Sequence, residues 1–307
     1  MVQSKPLRIG TRGSPLALVQ ARMVRERLAT ALGRAADSIE IKIIRTTGDT
    51  IVDRPLAEEG GKGLFTKEIE EALVRRDIDL AVHSAKDMPT FLPPGLALTA
   101  CLEREDPRDV LISKKAKTIQ ELPHGARVGT ASLRRQAIMK RARPDLEIAP
   151  LRGNVETRLR KLDGGEADAI ILALAGLKRL GLEGRATRIM SAEEFLPAAG
   201  QGAIAIETRE DDAATRALIS KIDHADTSAA VAAERAFLAV LDGSCKTPIG
   251  AHATIDGAMV TFRGLIARPD GSAAHDISAA GQRAAAVTIA EDCARALKQR
   301  AGTHFFD

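Results

Sequence analysis

Residues 9–21 read IGTRGSPLALVQA and residues 128–137 read VGTASLRRQA. Both run from a short apolar segment through Gly-Thr to a serine and then into a helical pattern, and this shared reading decides the fold. Around the first copy, residues 7–10 read as a short strand. Leu16, Val19, Met23, Val24, Leu28 and Leu32 then recur at helical spacing. Ile39, Ile41 and Ile43 alternate with Glu40 and Lys42 as in a half-buried strand, a helical stripe follows at Phe65, Ile69, Ala72 and Leu73, and residues 78–82 return as a buried strand. Around the second copy the order repeats: a strand from Arg127 into GTAS, a helix over 132–142, a strand at 146–149, a helix from Asn154 and a strand at 169–172.

This order predicts the α/β class: two lobes of related build, each a mainly parallel sheet with helices on both faces, of the kind shared by periplasmic solute-binding proteins. Residues 101–117 read as the crossover between lobes, and PAAGQGAIAIE from Pro197 as a return strand into the first. A third segment begins near Asp226, where Thr227 and Ser228 are candidate caps for a helix to Leu241. It ends in GSCKTPIG, then turns strand-like after Ala253 and helical over 284–299, as in a small C-terminal α+β domain. The expected boundaries are 1–102 with 197–220 for the first domain, 103–196 for the second and 221–307 for the third.

Composition narrows the function classes. The 307 residues, 45% hydrophobic and 28% charged, fit a globular chain of two or three domains. The longest apolar run, residues 167–177, is interrupted by Asp168 and falls short of the roughly 20 residues of a membrane span. Residues 1–14 contain no signal-like apolar segment, so a cytoplasmic location is expected and no membrane partner. Three scattered cysteines and six histidines without ligand spacing predict neither a disulfide framework nor a metal site. With no Trp, no Tyr and a net charge of only +4, a nucleic-acid partner is not expected.

Ligands of open α/β sheets bind beyond the carboxyl ends of strands, which directs attention to HSAKDMP at residues 83–89. There Asp87 follows a wholly apolar strand, beside Lys86 and before Pro89. A carboxylate so placed either stabilises a cation or shuttles a proton, or is a solvated turn residue. Arginines recur at comparable places: Arg12 after the first strand, Arg134 and Arg135 at the helix after GTAS, Arg152 after a strand, and Arg158 one turn further. Helix N-termini favour anions, and guanidinium adds bidentate pairing to carboxylate or phosphate, so the repetition points to a polyanion. GGKGLF at 60–65 is a glycine-rich loop carrying Lys62 and Phe65. Cys245 stands in a loop beside Lys246, placed to act as nucleophile or attachment point, or simply as a small turn residue.

Taken together, LRIGTRGSPLALVQA, GGKGLFTKEIE, AVHSAKDMP, GTASLRRQA, LRGNVETRL, LALAGLKRLG, PAAGQGAIAIE and ERAFLAVLDGSCKTPIGAHA, in that order between residues 7 and 253, resemble the porphobilinogen deaminase family, whose members are also called hydroxymethylbilane synthases. The resemblance implies a monomeric three-domain transferase of porphyrin (haem) biosynthesis. Such an enzyme joins four porphobilinogen molecules head to tail into hydroxymethylbilane, releasing ammonia, on a dipyrromethane cofactor attached by a thioether to the cysteine matching Cys245. Asp87 matches the family's catalytic aspartate. In that role it would stabilise the cation left when ammonia departs and help move the proton lost after attack.

The resemblance places the binding residues at Arg12, Ser14, Lys62, Phe65, Ser84, Lys86, Thr130, Ser132, Arg134, Arg135, Arg152, Gly153, Asn154, Arg158, Arg179 and Gln201. Each pyrrole carries an acetate and a propionate, and a well-made charged hydrogen bond contributes roughly 1.5–3 kcal/mol. Ser244 stands where the family often has glycine, and Glu58 where some members have lysine. The main rival is a non-enzymatic two-lobed binding protein, which needs no cysteine after its second lobe.

Overall fold

The computed structural model of the chain describes residues 6–50, 63–243, 247–302 and 305. In chain order it contains β1 (Leu7–Thr11), α1 (Pro15–Leu32), β2 (Ile39–Ile43), α2 (Thr47–Thr50), α3 (Lys67–Val74), β3 (Leu80–Ser84) and β4 (Leu96–Cys101). Then follow β5 (Asp109–Ser113), β6 (Arg127–Gly129), α4 (Leu133–Ala142), β7 (Glu147–Ala149), α5 (Val155–Asp163), β8 (Ala169–Ala173), α6 (Leu174–Arg179) and β9 (Arg188–Ile189). The chain closes with β10 (Ile204–Arg209), α7 (Ala213–Ile219), α8 (Ala225–Val240), β11 (Ile249–Asp256), β12 (Met259–Ala267), β13 (Ala274–Gln282) and α9 (Ala286–Ala301). It divides into two compact units, Met1–Arg104 with Ala203–Ser228, and Glu105–Gly202 with Ala229–Asp307. Among the described residues no helix is long and apolar enough to cross a membrane.

The first unit is a sheet of order β2-β1-β3-β10-β4, in which β1 runs parallel to β2 and β3 while β10 runs antiparallel to β3 and β4. Its ends are set locally. Ser14 sits extended before α1 and accepts the Ala17 N–H, Pro15 opens the helix where no N–H is needed, and left-handed Gly33 closes it. Alternate residues of the strands feed two cores. Ile9, Leu80, Val82, Ile204 and Ile206 pack with Val24 and Leu28 of α1, whereas Ala81 and Leu96 pack with Ile69 and Leu73 of α3 on the other face.

The second unit holds a sheet of order β7-β6-β8-β5-β9, with β6 parallel to β7 and β8, and β5 antiparallel to β8 and β9. In both sheets, therefore, only the strand in the fourth place opposes the others, and the two Gly-Thr strands β1 and β6 hold the same second place. The expected mainly parallel α/β lobes are what the topology shows. The same unit contains the antiparallel sheet β11-β12-β13, whose core joins Phe262 to Phe237 of α8 and Leu297 of α9. Gly264 of β12 makes room for the Phe237 ring, which would lie 2.5 Å from a Cβ there.

Three local expectations need correction. The stretch read as a crossover, 101–117, contains β5, an interior strand of the second sheet, and β4 was not foreseen at all. Thr227 and Ser228 lie inside the first turn of α8 rather than at its cap. His224 takes that place, its Nδ1 accepting the Thr227 N–H, while the Thr227 hydroxyl receives the N–H of Arg104.

Candidate active site

β3 ends at Ser84 and passes into a single 3-10 turn, Ala85–Asp87, with buried Ala85 anchoring it through an N–H bond to the Ala203 carbonyl. Asp87 is exposed at the rim of a cavity of about 60 Å³ whose lining includes Arg12, Ser14, Phe65, Thr66, His83 and Ser84. That volume is enough for several waters. The Arg12 guanidinium lies over the Phe65 ring, 4.1 Å from its centroid, a cation–π contact that fixes a positive charge facing the same space. Ser84 is paired with Gln20, whose amide donates to its hydroxyl at 2.9 Å. The first unit thus assembles Arg12, Ser14, Phe65, Ser84 and Asp87 around one small cavity. Lys86 is half-buried in the same turn.

The second unit treats its arginines differently. Arg134 and Arg135, on the first turn of α4, are both buried, and each donates to a different oxygen of the fully buried Asp109 carboxylate, at 2.6 and 2.7 Å. Their remaining terminal nitrogens reach the carbonyls of Leu196 and Ile171. Gln201 donates to Asp109 at 3.0 Å and to the Pro107 carbonyl at 2.7 Å. Burial pushes the Arg134 pKa down; Asp109 opposes this and the Arg135 charge adds to it. Asp109 was not singled out in the sequence. The only signal was an aspartate at the head of the apolar run DVLIS.

Ser132 caps α4 by accepting the Arg135 N–H, and Thr130 accepts the N–H of Ser132. Asn154 caps α5 by accepting the Thr157 N–H at 2.8 Å, and Arg158 donates its Nε–H to the Gly153 carbonyl. Gly153 has φ 111°, and a Cβ there would lie 2.6 Å from Thr157. Arg152 is half-buried just before this cap. Arg179, at the end of α6, donates to the Gly202 carbonyl at 2.7 Å. Burial lowers its pKa to about 10, with Glu105 opposing. Lys62 and Cys245, with Ser244 and Glu58, lie outside the described residues.

The buried Nε atoms of Arg134, Arg135 and Arg179 have no hydrogen-bond acceptor. A buried net positive charge at Arg134, Arg135 and Asp109, with Arg152 and Arg158 half-buried around the start of α5, fits a ligand bearing several carboxylates, which is the chemistry of a dipyrromethane with its acetate and propionate arms.

The first unit carries a carboxylate and a stacked guanidinium beyond its strand ends, and the second carries buried positive charge beside capped helix starts, in a chain of the α/β class. Residues 7–217 match the family described as porphobilinogen deaminase, dipyromethane cofactor binding domain, and residues 228–299 match its C-terminal domain. The porphobilinogen deaminases of Nitrobacter hamburgensis and Nitrobacter winogradskyi are each 59% identical over 298 residues, 97% of this chain and 94% of theirs. Among solved structures, a nutrient binding protein from Burkholderia cenocepacia bound to methionine has 14% identity and a TM-score of 0.42, covering 70% of this chain and 91% of that one.

The chain belongs to the porphobilinogen deaminase family. It is accordingly a transferase of tetrapyrrole synthesis that polymerises porphobilinogen into hydroxymethylbilane with a dipyrromethane cofactor.

Proposed function

We propose that Asp87 is the carboxylate that carries the chemistry of this polymerisation, stabilising the cation left when ammonia departs from the substrate and then accepting the proton lost from the pyrrole carbon. The observation that carries this reading is the position of Asp87 in the turn after β3, at the rim of a cavity shared with the Arg12 guanidinium. A carboxylate there attracts a cation formed in the cavity, and Arg12 holds a substrate carboxylate without competing for the proton. The dipyrromethane supplies the nucleophilic carbon to which units are added.

Cys245 is the proposed tether, with Lys62 and Lys86 as further cations and Ser14, Phe65 and Ser84 shaping the substrate pocket. Arg152, Arg158 and Arg179 bind carboxylates of cofactor and chain, with N–H and hydroxyl donors from Thr130, Ser132, Gly153 and Asn154. Arg134 and Arg135, linked to Gln201 through Asp109, leave one net buried positive charge that strengthens the field there. The proposed domains are 1–102 with 197–220, 103–196 and 221–307, in a cytoplasmic monomer that takes porphobilinogen and binds neither nucleic acid nor membrane.

Asp87→Asn keeps the shape and removes the charge. It should lower kcat by about 10²–10³-fold, while intact-mass measurement on the denatured protein still finds two pyrrole units on Cys245. Near-normal turnover of Asp87→Asn with cofactor attached would end this assignment.

A further inference from the structure

On the α3 face of the first sheet three ionisable side chains meet in the interior, and the reading above uses none of them. His83 of β3 and Glu207 of β10 are cross-strand diagonal neighbours, since Glu207 pairs with Ala81 and Ala205 pairs with His83. The His83 Nε2 lies 3.2 Å from Glu207 Oε2, with both side chains buried. Glu70 of α3 is also buried and lies within electrostatic reach of both. One oxygen of each carboxylate, Glu70 Oε1 and Glu207 Oε1, is buried without a hydrogen-bond partner.

A core that needed only packing would not place two incompletely satisfied carboxylates beside an imidazole, because each such group is costly to bury. The cluster also has two openings. His83 lines the Asp87 cavity, and Glu70 lines a surface groove on the far side, along α3 with Glu71, Val74, Arg75 and Pro93.

We propose that His83, held by Glu207 and backed by Glu70, is a proton relay residue that empties Asp87 between successive condensations. The inference rests on Asp87 being the group that takes the proton. When the carbon–carbon bond has formed, the electrons of the broken C–H bond return to the pyrrole ring and its proton passes to the Asp87 carboxylate. The proton then moves by way of water in the cavity to the His83 imidazole, restoring the Asp87 carboxylate. The imidazolium is balanced by Glu207, and the proton leaves by way of Glu70 to water at the α3 groove. No oxidant or further reactant is needed.

The charged groups facing this route are Arg12 and Asp87 on the cavity side, Glu207 from β10 and Glu70 from α3, with Lys67, Glu71 and Arg75 around the outer groove. Burial raises the pKa of Glu70, the Thr66 hydroxyl opposes this, Glu207 raises it further and His83 lowers it. At low pH the cluster is already full and the relay stalls, which gives kcat an acid limb that belongs to the cluster.

The test is the pH profile of kcat in cofactor-loaded His83→Gln and Glu70→Gln enzyme, with KM measured alongside. His83→Gln should lower kcat by roughly 100-fold with KM changed by less than about twofold, and the acid limb should disappear. Glu70→Gln, which mimics the protonated side chain and so preserves folding, should move the acid limb to lower pH by about one unit, because the imidazolium loses a neighbouring anion. A His83→Gln enzyme with wild-type kcat overturns the proposal. Should His83→Gln fail to fold or load cofactor, Glu70→Gln decides alone, and superposition of its profile on the wild type overturns the relay. An Asp87→Asn enzyme with normal turnover removes the premise by a separate measurement, so the two failures are distinguishable.

Discussion

Replacing Asp109 by Asn removes one charge and almost no volume from the interior of the second unit. Asp109 is fully buried and accepts from Arg134 at 2.6 Å, Arg135 at 2.7 Å and Gln201 at 3.0 Å. Asparagine keeps one acceptor oxygen but turns an NH2 group toward a guanidinium donor, and it leaves two buried cations with no counter-charge. Breaking a buried ion pair by removing one partner costs about 3–5 kcal/mol, and with two cations stranded the loss should fall at the upper end. For domains of this size that corresponds to a fall in Tm of about 10 °C or more.

The assay is thermal and urea unfolding followed by circular dichroism, with cofactor content checked by intact mass. Arg134→Met in the Asp109→Asn background serves as the control. Removing one stranded cation should recover part of the loss, giving a coupling of at least about 1 kcal/mol in the double-mutant cycle. A Tm within about 2 °C of the wild type, or strictly additive effects, would show that Asp109 is not the counter-ion of this pair.

Gly202→Ala should unfold at lower urea. The residue has φ 88°, and a Cβ would lie 2.3 Å from the Glu105 carbonyl oxygen, so backbone strain alone costs about 1–3 kcal/mol. The same shift should weaken the Gly202 carbonyl's hold on Arg179, raising KM as well. In the first unit, burial pushes the Asp79 pKa up, but two side-chain bonds and one backbone N–H from Arg8, with the Arg8 and Arg209 charges, bring it below the ordinary carboxylate value. Because the folded-state pKa is depressed, the stabilisation is complete above the unfolded value of about 3.9 and is lost as pH falls below it. Asp79→Asn should therefore be less stable than the wild type at neutral pH and show a flatter decline in acid, as measured by urea midpoints across that range.

What the sequence made legible was local. The Ser14-Pro15 start and Gly33 stop of α1 are fixed within a few residues by capping chemistry, and Asp87 stands out because an apolar strand must end before a turn that Pro89 forbids to become a helix. The missed features are those decided by distant partners. β5 falls inside the stretch that reads as a crossover, and it opens on an aspartate, a residue that is costly to bury alone. Only the arrival of Arg134 and Arg135 from α4 makes a buried carboxylate tolerable there. His83 and Glu207 are likewise ordinary in sequence, and their meeting depends on the register of β10 against β3.

The repeat that revealed the lobes also concealed how differently they use their charges. In both copies a buried threonine follows the glycine and a serine caps the helix, so the backbone frame of an anion site is common to β1–α1 and β6–α4. Arg12 lies between Thr11 and Ser14, where the chain is leaving the sheet, and its guanidinium stays beside the cavity against Phe65. In the second copy Ala131 lies between Thr130 and Ser132, and the arginines are displaced to the first turn of α4, where the helix directs them inward to Asp109. Moving arginine by two or three positions past the cap thus converts a contact cation into a fixed interior charge. On the proposed function the proton chemistry would fall to the first unit, where Asp87 and His83 line one small cavity. The second holds two buried guanidinium groups against one carboxylate, a static positive field that the proposed function would use to hold carboxylates that do not react.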